Sequence, residues 1–310
     1  MPRKAIARIP ASTTNLGPGF DSLGLALQLY STVELEEVDS GIEILVSGVD
    51  SEIITNGVDN VAYRAANLVF EKFCYQPNGL RLRIENGIPA IRGLGGSGTA
   101  ILGGLLTANA LCGDPFSPDE LLNFATVLEG HPDNVAASLL GGLVVSLTLD
   151  GQVHTIKLDC EPNLSVAVAI PDFQMPTERA RRVLPETVKF YDAVHNVSCS
   201  SLLVAAFATG NLELLPLAMR DRLHQPYRKS LVPGFDDVAE AAMRAGAIGI
   251  ALSGAGPSVA AFCTRAEQEI ANQMNQAFAM HGVTCNVKIL SIDSTGAAVH
   301  IAENTNSRGK

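Results

Sequence analysis

No charged residue occurs between Arg92 and Asp114. An uncharged run of that length has to be buried, and it is long enough to raise the question of a membrane span. Its residues argue otherwise. Gly93, Gly95, Gly96 and Gly98 crowd its start, Gly103 and Gly104 follow, and Ser97, Thr99, Thr107 and Asn109 are polar. A glycine loop feeding a buried helix, from near Ser97 to about Leu111, fits better than a span.

The rest of the chain is read around that helix. In the first half, residues 4–9, 32–38 and 42–47 read as strands. Asn60 to Cys74 carries Val61, Ala65, Leu68, Val69 and Phe73 at helical spacing, and Leu80 to Ile84 alternates as a half-buried strand does. Ser117-Pro-Asp-Glu120 is a capping box with proline at the first helical position, opening a helix that runs to about Glu129. Leu143 to Leu149 reads as a buried strand. In the second half, Leu164 to Ile170 is a strand and two or three helices lie between Thr177 and Arg222. Phe235 to Ala245 and Arg265 to His281 read as helices, and Ile248 to Leu252 as a strand. Strands near 284–291 and 297–301 close the pattern. The class is α/β (α+β) in two lobes, residues 1–160 and 161–303, with a polar tail at 304–310 expected to fray.

Bulk properties remove several functions. The 310 residues are 47% hydrophobic and 17% charged, which suits a globular protein and not a disordered one. A formal net charge of −10 disfavours nucleic acid or an anionic membrane as partner. The six cysteines (Cys74, Cys112, Cys160, Cys199, Cys263, Cys285) form no Cys-x-x-C and no cluster with histidine. Reduced, mostly buried thiols are expected, not a zinc site or a disulfide framework. The opening Met-Pro-Arg-Lys leads into a strand pattern and not an apolar signal core, so the expected location is the cytoplasm.

Gly93, Gly95 and Gly98 satisfy G-x-G-x-x-G, which by itself leaves three readings open: a tight turn, a dinucleotide-binding turn, or another phosphate loop. No lysine follows the glycines, which excludes a Walker A loop, and the protein-kinase His-Arg-Asp and Asp-Phe-Gly are absent. The dinucleotide reading wants an acid about 20 residues on, and Asp114 sits near there in a Gly-Asp-Pro turn, not at a strand end. For any phosphate ligand the physics is the same: glycines admit close approach, and the following helix offers free N–H groups and the positive end of its dipole.

Three other stretches set glycines beside small polar or acidic residues: Pro10-Ala-Ser-Thr-Thr-Asn-Leu-Gly-Pro-Gly-Phe-Asp21, Glu129-Gly-His-Pro-Asp-Asn-Val135 and Ser253-Gly-Ala-Gly-Pro-Ser258. Residue by residue, each has an ordinary explanation. Asn15 suits an Asx turn, and Asn60 an N-cap. Glu129 suits a solvated acid, although a helix end favours cations. His131 suits a cap, Asn134 a partner for backbone groups, and Arg181 and Arg228 surface ion pairs.

In this order and spacing the stretches resemble the GHMP family of small-molecule kinases, from Ile9 to about Cys263. The resemblance implies a two-lobed fold. The N-terminal lobe would be similar to the ribosomal protein S5 domain 2-like fold, and the C-terminal lobe would be a ferredoxin-like α+β unit. It implies ATP as co-substrate, Mg2+, and a homodimer. Pro89-Ala-Ile-Arg-Gly-Leu-Gly-Gly-Ser-Gly matches the family's Pro-x3-Gly-Leu-Gly-Ser-Ser-Ala loop around the ATP phosphates, with Gly96 in place of the first serine and Gly98 in place of alanine. Asn60, Pro89, Arg92, Gly93, Leu94, Gly95, Gly96, Ser97, Gly98 and Thr99 would then line the nucleotide. Ser97 and Glu129 would hold the metal, and with Asp21 they form the implied catalytic set. Gly254 and Gly256 belong to the third family motif. The Glu129 to Val135 stretch is similar to the branch whose acceptor is L-homoserine. That implies Asn15, Asp21, His131, Asn134, Thr177, Arg181 and Arg228 at the substrate, the arginines meeting its planar carboxylate with paired hydrogen bonds.

Alternative readings are another GHMP kinase, with a mevalonate-like or diphosphocytidyl sugar alcohol acceptor, and a metabolite-binding regulator on a kinase scaffold. Arg181, Arg228, His131 and Asn134 speak against the first. Gly96 is the only support for the second. A dehydrogenase would be recognised by NAD binding.

Overall fold

The structure is a computed structural model that describes residues 4–302, and the chain in it forms two sheets. The first has seven strands: β1 (Lys4–Thr14), β2 (Leu23–Glu37), β3 (Gly41–Gly48), β4 (Gly79–Asn86), β5 (Leu143–Leu149), β6 (Gln152–Leu158) and β11 (Ala298–Ala302). Its main path runs β11-β1-β2-β4-β3, and β5 and β6 continue it from the other end of β2. With β1 along one edge, β2 therefore serves two partners along the other, Val145 to Leu143 of β5 at Leu23–Leu25 and β4 at Thr32–Glu37. β1 slips register between Pro10 and Ala11. The two skipped residues, Gln28 and Leu29, lie on β2, so it is β2 that bulges there, opposite a proline that has no N–H for the ladder.

Four helices pack against this sheet: α1 (Val61–Lys72), α2 (Gly96–Leu111), α3 (Pro118–Glu129) and α4 (Asp133–Leu140). α2 is the buried helix expected from its composition, enclosed by β1, β2, α1, α3 and α4. Its glycines make the enclosure possible. A Cβ on Gly104 would lie 2.0 Å from the carbonyl oxygen of Ala62 in α1, and one on Gly103 would lie 2.3 Å from a methyl of Val33 in β2. The capping box at Ser117 forms as expected and opens α3.

The second sheet is antiparallel, in the order β10 (Cys285–Ser291), β7 (Ser165–Pro171), β9 (Val259–Cys263), β8 (Gly249–Leu252). Between β7 and β8 come α5 (Thr177–Arg182), α6 (Phe190–Thr209), α7 (Leu215–Ala218), α8 (Gln225–Arg228) and α9 (Phe235–Arg244), and α10 (Glu267–Met280) precedes β10. Reduced to its strands and the helices between them, this is the expected ferredoxin-like lobe. A shared apolar cluster joins the lobes: Ala11, Leu16, Leu23 and Leu94 meet Leu164, Phe207, Met219 and Phe262.

The structure departs from the sequence reading in five places. β1 continues past Ile9 to Thr14, and β2 begins at Leu23, not near residue 32. α4 and β6 were not anticipated. The closing strand, expected with the second lobe, lies in the first sheet, where Ala298 to Ala302 pair antiparallel with Arg8 to Lys4. The expected polar tail at 304–310 lies outside the described residues.

Candidate active site

A cavity of about 440 Å³ opens between the lobes, lined from α1, α2, the end of α3, the turn after β1, α5, α8 and the loop after β8. It gathers Asn15, Asp21, Asn60, Arg92, Gly93, Gly95, Gly96, Ser97, Thr99, Glu129, His131, Asn134, Thr177, Arg181, Arg228 and Gly254. Pro89, Leu94, Gly98 and Gly256 do not line it. Leu94 is in the shared core, and Gly98 faces α4, where a Cβ would lie 3.0 Å from a methyl of Val135. Val135 explains why glycine suits this position better than the family's alanine. At Gly96, by contrast, a Cβ would meet nothing nearer than 4.0 Å.

The glycine loop is shaped by the third motif. Gly93 has φ 76°, and a Cβ there would sit 2.1 Å from the carbonyl oxygen of Ser253. Only glycine allows both. Ser253 Oγ donates to the Gly93 carbonyl at 2.6 Å, and Asn15 Nδ2 donates to the Gly254 carbonyl at 2.9 Å. The Pro10–Asp21 stretch, the glycine loop and the Ser253–Ser258 stretch thus meet at one point. The first stretch is itself bent: Asn15, Leu16 and Asp21 all have positive φ. Such residues are held only where their surroundings fix them, and here Asn15 Oδ1 accepts from the Asp21 N–H at 3.0 Å. With Gly95 as its left-handed cap, α2 begins at Gly96, so the N–H groups of its first turn open on the cavity beside Ser97.

At the end by α1 and β4 the lining is apolar: Val33, Ile53, Ile54, Val61, Ile84 and Ile88. Asn60 borders it as the N-cap of α1, its Oδ1 accepting from Ala62 N and its Nδ2 donating to the Thr55 carbonyl. Arg92 does not face the loop's ligand side freely. Its guanidinium pairs with Asp50 and donates to the carbonyls of Ala90, Pro171 and Asp172.

Glu129 and Ser97 hydrogen-bond at the mouth of the glycine loop, and burial pushes the Glu129 carboxyl up, an effect Ser97 and His131 reduce. Among the described residues no group of three or more His, Cys, Asp or Glu could hold an ion alone. One carboxylate and one hydroxyl are nevertheless the protein share that magnesium takes when waters and phosphates supply its other oxygens. His131 Nδ1 lies 2.7 Å from Asp133 Oδ1. Burial works to lower the His131 pKa, but that hydrogen bond, with the charges of Asp133, Glu129 and Asp21, raises it overall. Asp133, 1% exposed, was not anticipated as a site residue. Asn134 Oδ1 accepts from Ser12 Oγ at 2.9 Å, so part of its amide serves the frame.

Asp21 and Arg181 face each other in a bidentate pair at 2.8 and 2.9 Å. Arg228, 2% exposed, donates from Nε to the Ala180 carbonyl and lies with Arg181 over the Phe20 ring. Burial, with the nearby Arg181 charge, brings its pKa down to about 10. A buried cation short of counter-charge is a site for an anion, and two planar guanidiniums suit a carboxylate. Thr177 stands at the start of α5 on the same wall.

Comparison with known proteins finds similar chains over nearly the whole length. The description GHMP kinases N terminal domain matches residues 60–142, and GHMP kinases C terminal matches residues 203–279. Homoserine kinase of Moorella thermoacetica is 47% identical over 294 residues, 95% of this chain and 99% of that protein. Homoserine kinase of Caldicellulosiruptor bescii is 43% identical over 300 residues, 96% of this chain and 97% of its own. The crystal structure of homoserine kinase from Cytophaga hutchinsonii superposes with a TM-score of 0.88 at 29% identity, covering 96% of this chain and 97% of that one. Mevalonate kinase of L. major, in complex with R-mevalonate, is similar in fold alone: TM-score 0.71 at 15% identity, covering 93% and 96%.

Proposed function

Because the chain belongs to the GHMP kinase family and matches its homoserine kinases over almost its whole length, we propose that it transfers the γ-phosphoryl group of ATP to the side-chain hydroxyl of L-homoserine, giving O-phospho-L-homoserine and ADP in threonine biosynthesis. The protein is an ATP-dependent kinase acting on an alcohol. The observation that carries the acceptor is the pair Arg181 and Arg228 in the same cavity as the α2 N-terminus.

The nucleotide base takes the apolar end by Ile53, Ile54 and Val61, and the phosphates take the Gly93–Ser97 loop. Ser97 and Glu129 hold Mg2+, which supplies charge neutralisation on the phosphoryl oxygens when bound. The zwitterionic acceptor replaces an internal ion pair. Its ammonium takes the place of Arg181 against Asp21, and its carboxylate takes the place of Asp21 against Arg181 and Arg228. His131 and Asn134 complete the acceptor end. The acceptor oxygen then bonds to the γ-phosphorus as the bond to the ADP oxygen breaks, and the hydroxyl proton is released. Asp21 orients this hydroxyl. A homodimer in the cytoplasm belongs to the same proposal, and light scattering tests the dimer.

The test is ADP formation from Mg-ATP by the purified protein, with L-homoserine, with mevalonate, and with neither. Homoserine-dependent ADP together with O-phosphohomoserine by mass is expected. ADP formed with mevalonate and not homoserine would replace the acceptor.

A further inference from the structure

His224, one helical turn before Arg228, has no role in the mechanism above, yet it is completely buried. Its Nε2 lies 2.7 Å from the carbonyl oxygen of Gly17, and its Nδ1 lies 3.4 Å from Nη1 of Arg228. A carbonyl can only accept and a guanidinium can only donate. The two contacts therefore set the ring: Nε2 carries the proton, Nδ1 is bare, and the imidazole is neutral. The ring also stacks on Phe20 at 5.1 Å, and both Arg181 and Arg228 lie over the Phe20 ring. Gly17 belongs to the bent stretch that ends in Asp21. One imidazole thus touches the turn that carries Asp21 and, on its other side, Arg228, which shares the Phe20 ring with the Arg181 paired to Asp21.

We propose that His224 is a positioning residue for the acceptor: as the neutral Nε2–H tautomer it ties the Gly17 turn, and through it Asp21, to Arg228, and so fixes the separation of the groups that receive ammonium and carboxylate. The inference rests on the homoserine reading. Charged groups face the ring from each side that packs on it. Asp221, 3.5 Å away, precedes α8, Arg228 belongs to α8, and Asp21 ends the turn after β1. Burial outweighs the attraction of the two carboxylates and holds the ring below the ordinary histidine value of 6.5, in keeping with the neutral form. Protonation would remove the Nδ1 lone pair and set a second cation against Arg228. Acceptor binding then weakens on acidification, while ATP binding, at the other end of the cavity, does not.

The tautomer is read in the wild-type protein by nitrogen-15 NMR of labelled histidine. A protonated Nε2 and a bare Nδ1 are expected, and an imidazolium or an Nδ1–H ring near neutral pH overturns the proposal. Kinetics read the coupling. His224→Gln keeps a donor for Gly17 and offers no acceptor at the Nδ1 position. Its KM for homoserine should rise about tenfold, the weight of one hydrogen bond to a charged group, with KM for ATP unchanged. The acid-side rise in homoserine KM expected of wild type should vanish in this variant. His224→Asn, which keeps an acceptor near Nδ1 but withdraws the donor from Gly17, should raise KM for homoserine similarly, since either contact alone leaves the turn untied from Arg228. Equal changes in both KM values, or an acid-side rise that survives in His224→Gln, overturn the proposal. A wild-type protein inactive with homoserine would instead refute the substrate reading, and the NMR result is independent of turnover.

Discussion

Glu129 shows how far one side chain can depend on its neighbours. It ends α3 where a cation would be favoured, and burial lifts its carboxyl above the ordinary value of 4.5. Both penalties disappear when a divalent cation sits against it. Glu129→Gln should therefore raise the magnesium needed for half-maximal rate at least about tenfold, and a magnesium titration that matches wild type would remove Glu129 from the metal site. In wild type, protons and metal compete for this carboxylate. The apparent magnesium affinity should fall as pH drops through a carboxyl pKa above 4.5. At this scale the sequence was informative where chemistry sits in a short motif: Asn15, Asp21, Ser97 and Glu129 all reach the cavity. It was silent where a role comes from distant partners. The sequence neighbours Asp221 and Arg228 do not by themselves mark His224, whose tie to Gly17 and stacking on Phe20 come from far along the chain, nor Phe20, which becomes a platform only when α5 and α8 bring their arginines to it. Asp221 could have been noticed: a buried acid whose carboxylate accepts from the N–H groups of Leu223, His224 and Gln225 is a short-range turn signal. Arg92 went the other way. Its place in the motif suggested phosphate, and tertiary contacts take its donors instead.

Among the elements, α2 was the most legible because its constraint is continuous. A run without charge, dense in small residues, can be satisfied only by burial on all sides, and the helix is buried on nearly all of its length. α4 was hidden because Gly130-His-Pro reads as a break, and the helix that restarts at Asp133 lasts only to Leu140. β1 and β2 were cut short because their inner halves are buried on both faces and lose the alternation that marks a strand. The glycines of α2 are not equivalent, and unfolding in urea should separate them. Gly96→Ser has space and removes a flexible residue from the first turn, so stability should hold or rise by about 0.5–1 kcal/mol. Gly104→Ala drives a Cβ into the Ala62 carbonyl and should cost about 3 kcal/mol or more, by forcing α1 away from α2. Equal effects at the two positions would contradict the packing of α2 on α1.

On the scale of the whole molecule, the cavity is a product of both lobes, and Arg92 is one of the bonds that sets its width. It holds Asp50, at the edge of the segment lining the cavity's apolar end, and the carbonyls of Pro171 and Asp172 at the end of β7. Arg92→Met and Asp50→Asn should each raise KM for ATP several-fold. The double variant should be no worse than the worse single, because both remove the same clamp. Additive losses would instead place Arg92 on the nucleotide itself. The two-lobed class was visible in the order of strands and helices, whereas the return of β11 to the first sheet was not, since its short strand carries no mark of which partner it will find. That return has a consequence for biosynthesis. A ribosome releases β1 first and β11 last, so the first lobe cannot close its sheet until nearly the whole chain has emerged. Until then one edge of β1 stands open, with Ala5, Ala7 and Ile9 poised for a core that is already forming. An open strand edge is a template for pairing with other chains. The nascent protein is most exposed to aggregation during the long interval in which its second lobe is being made.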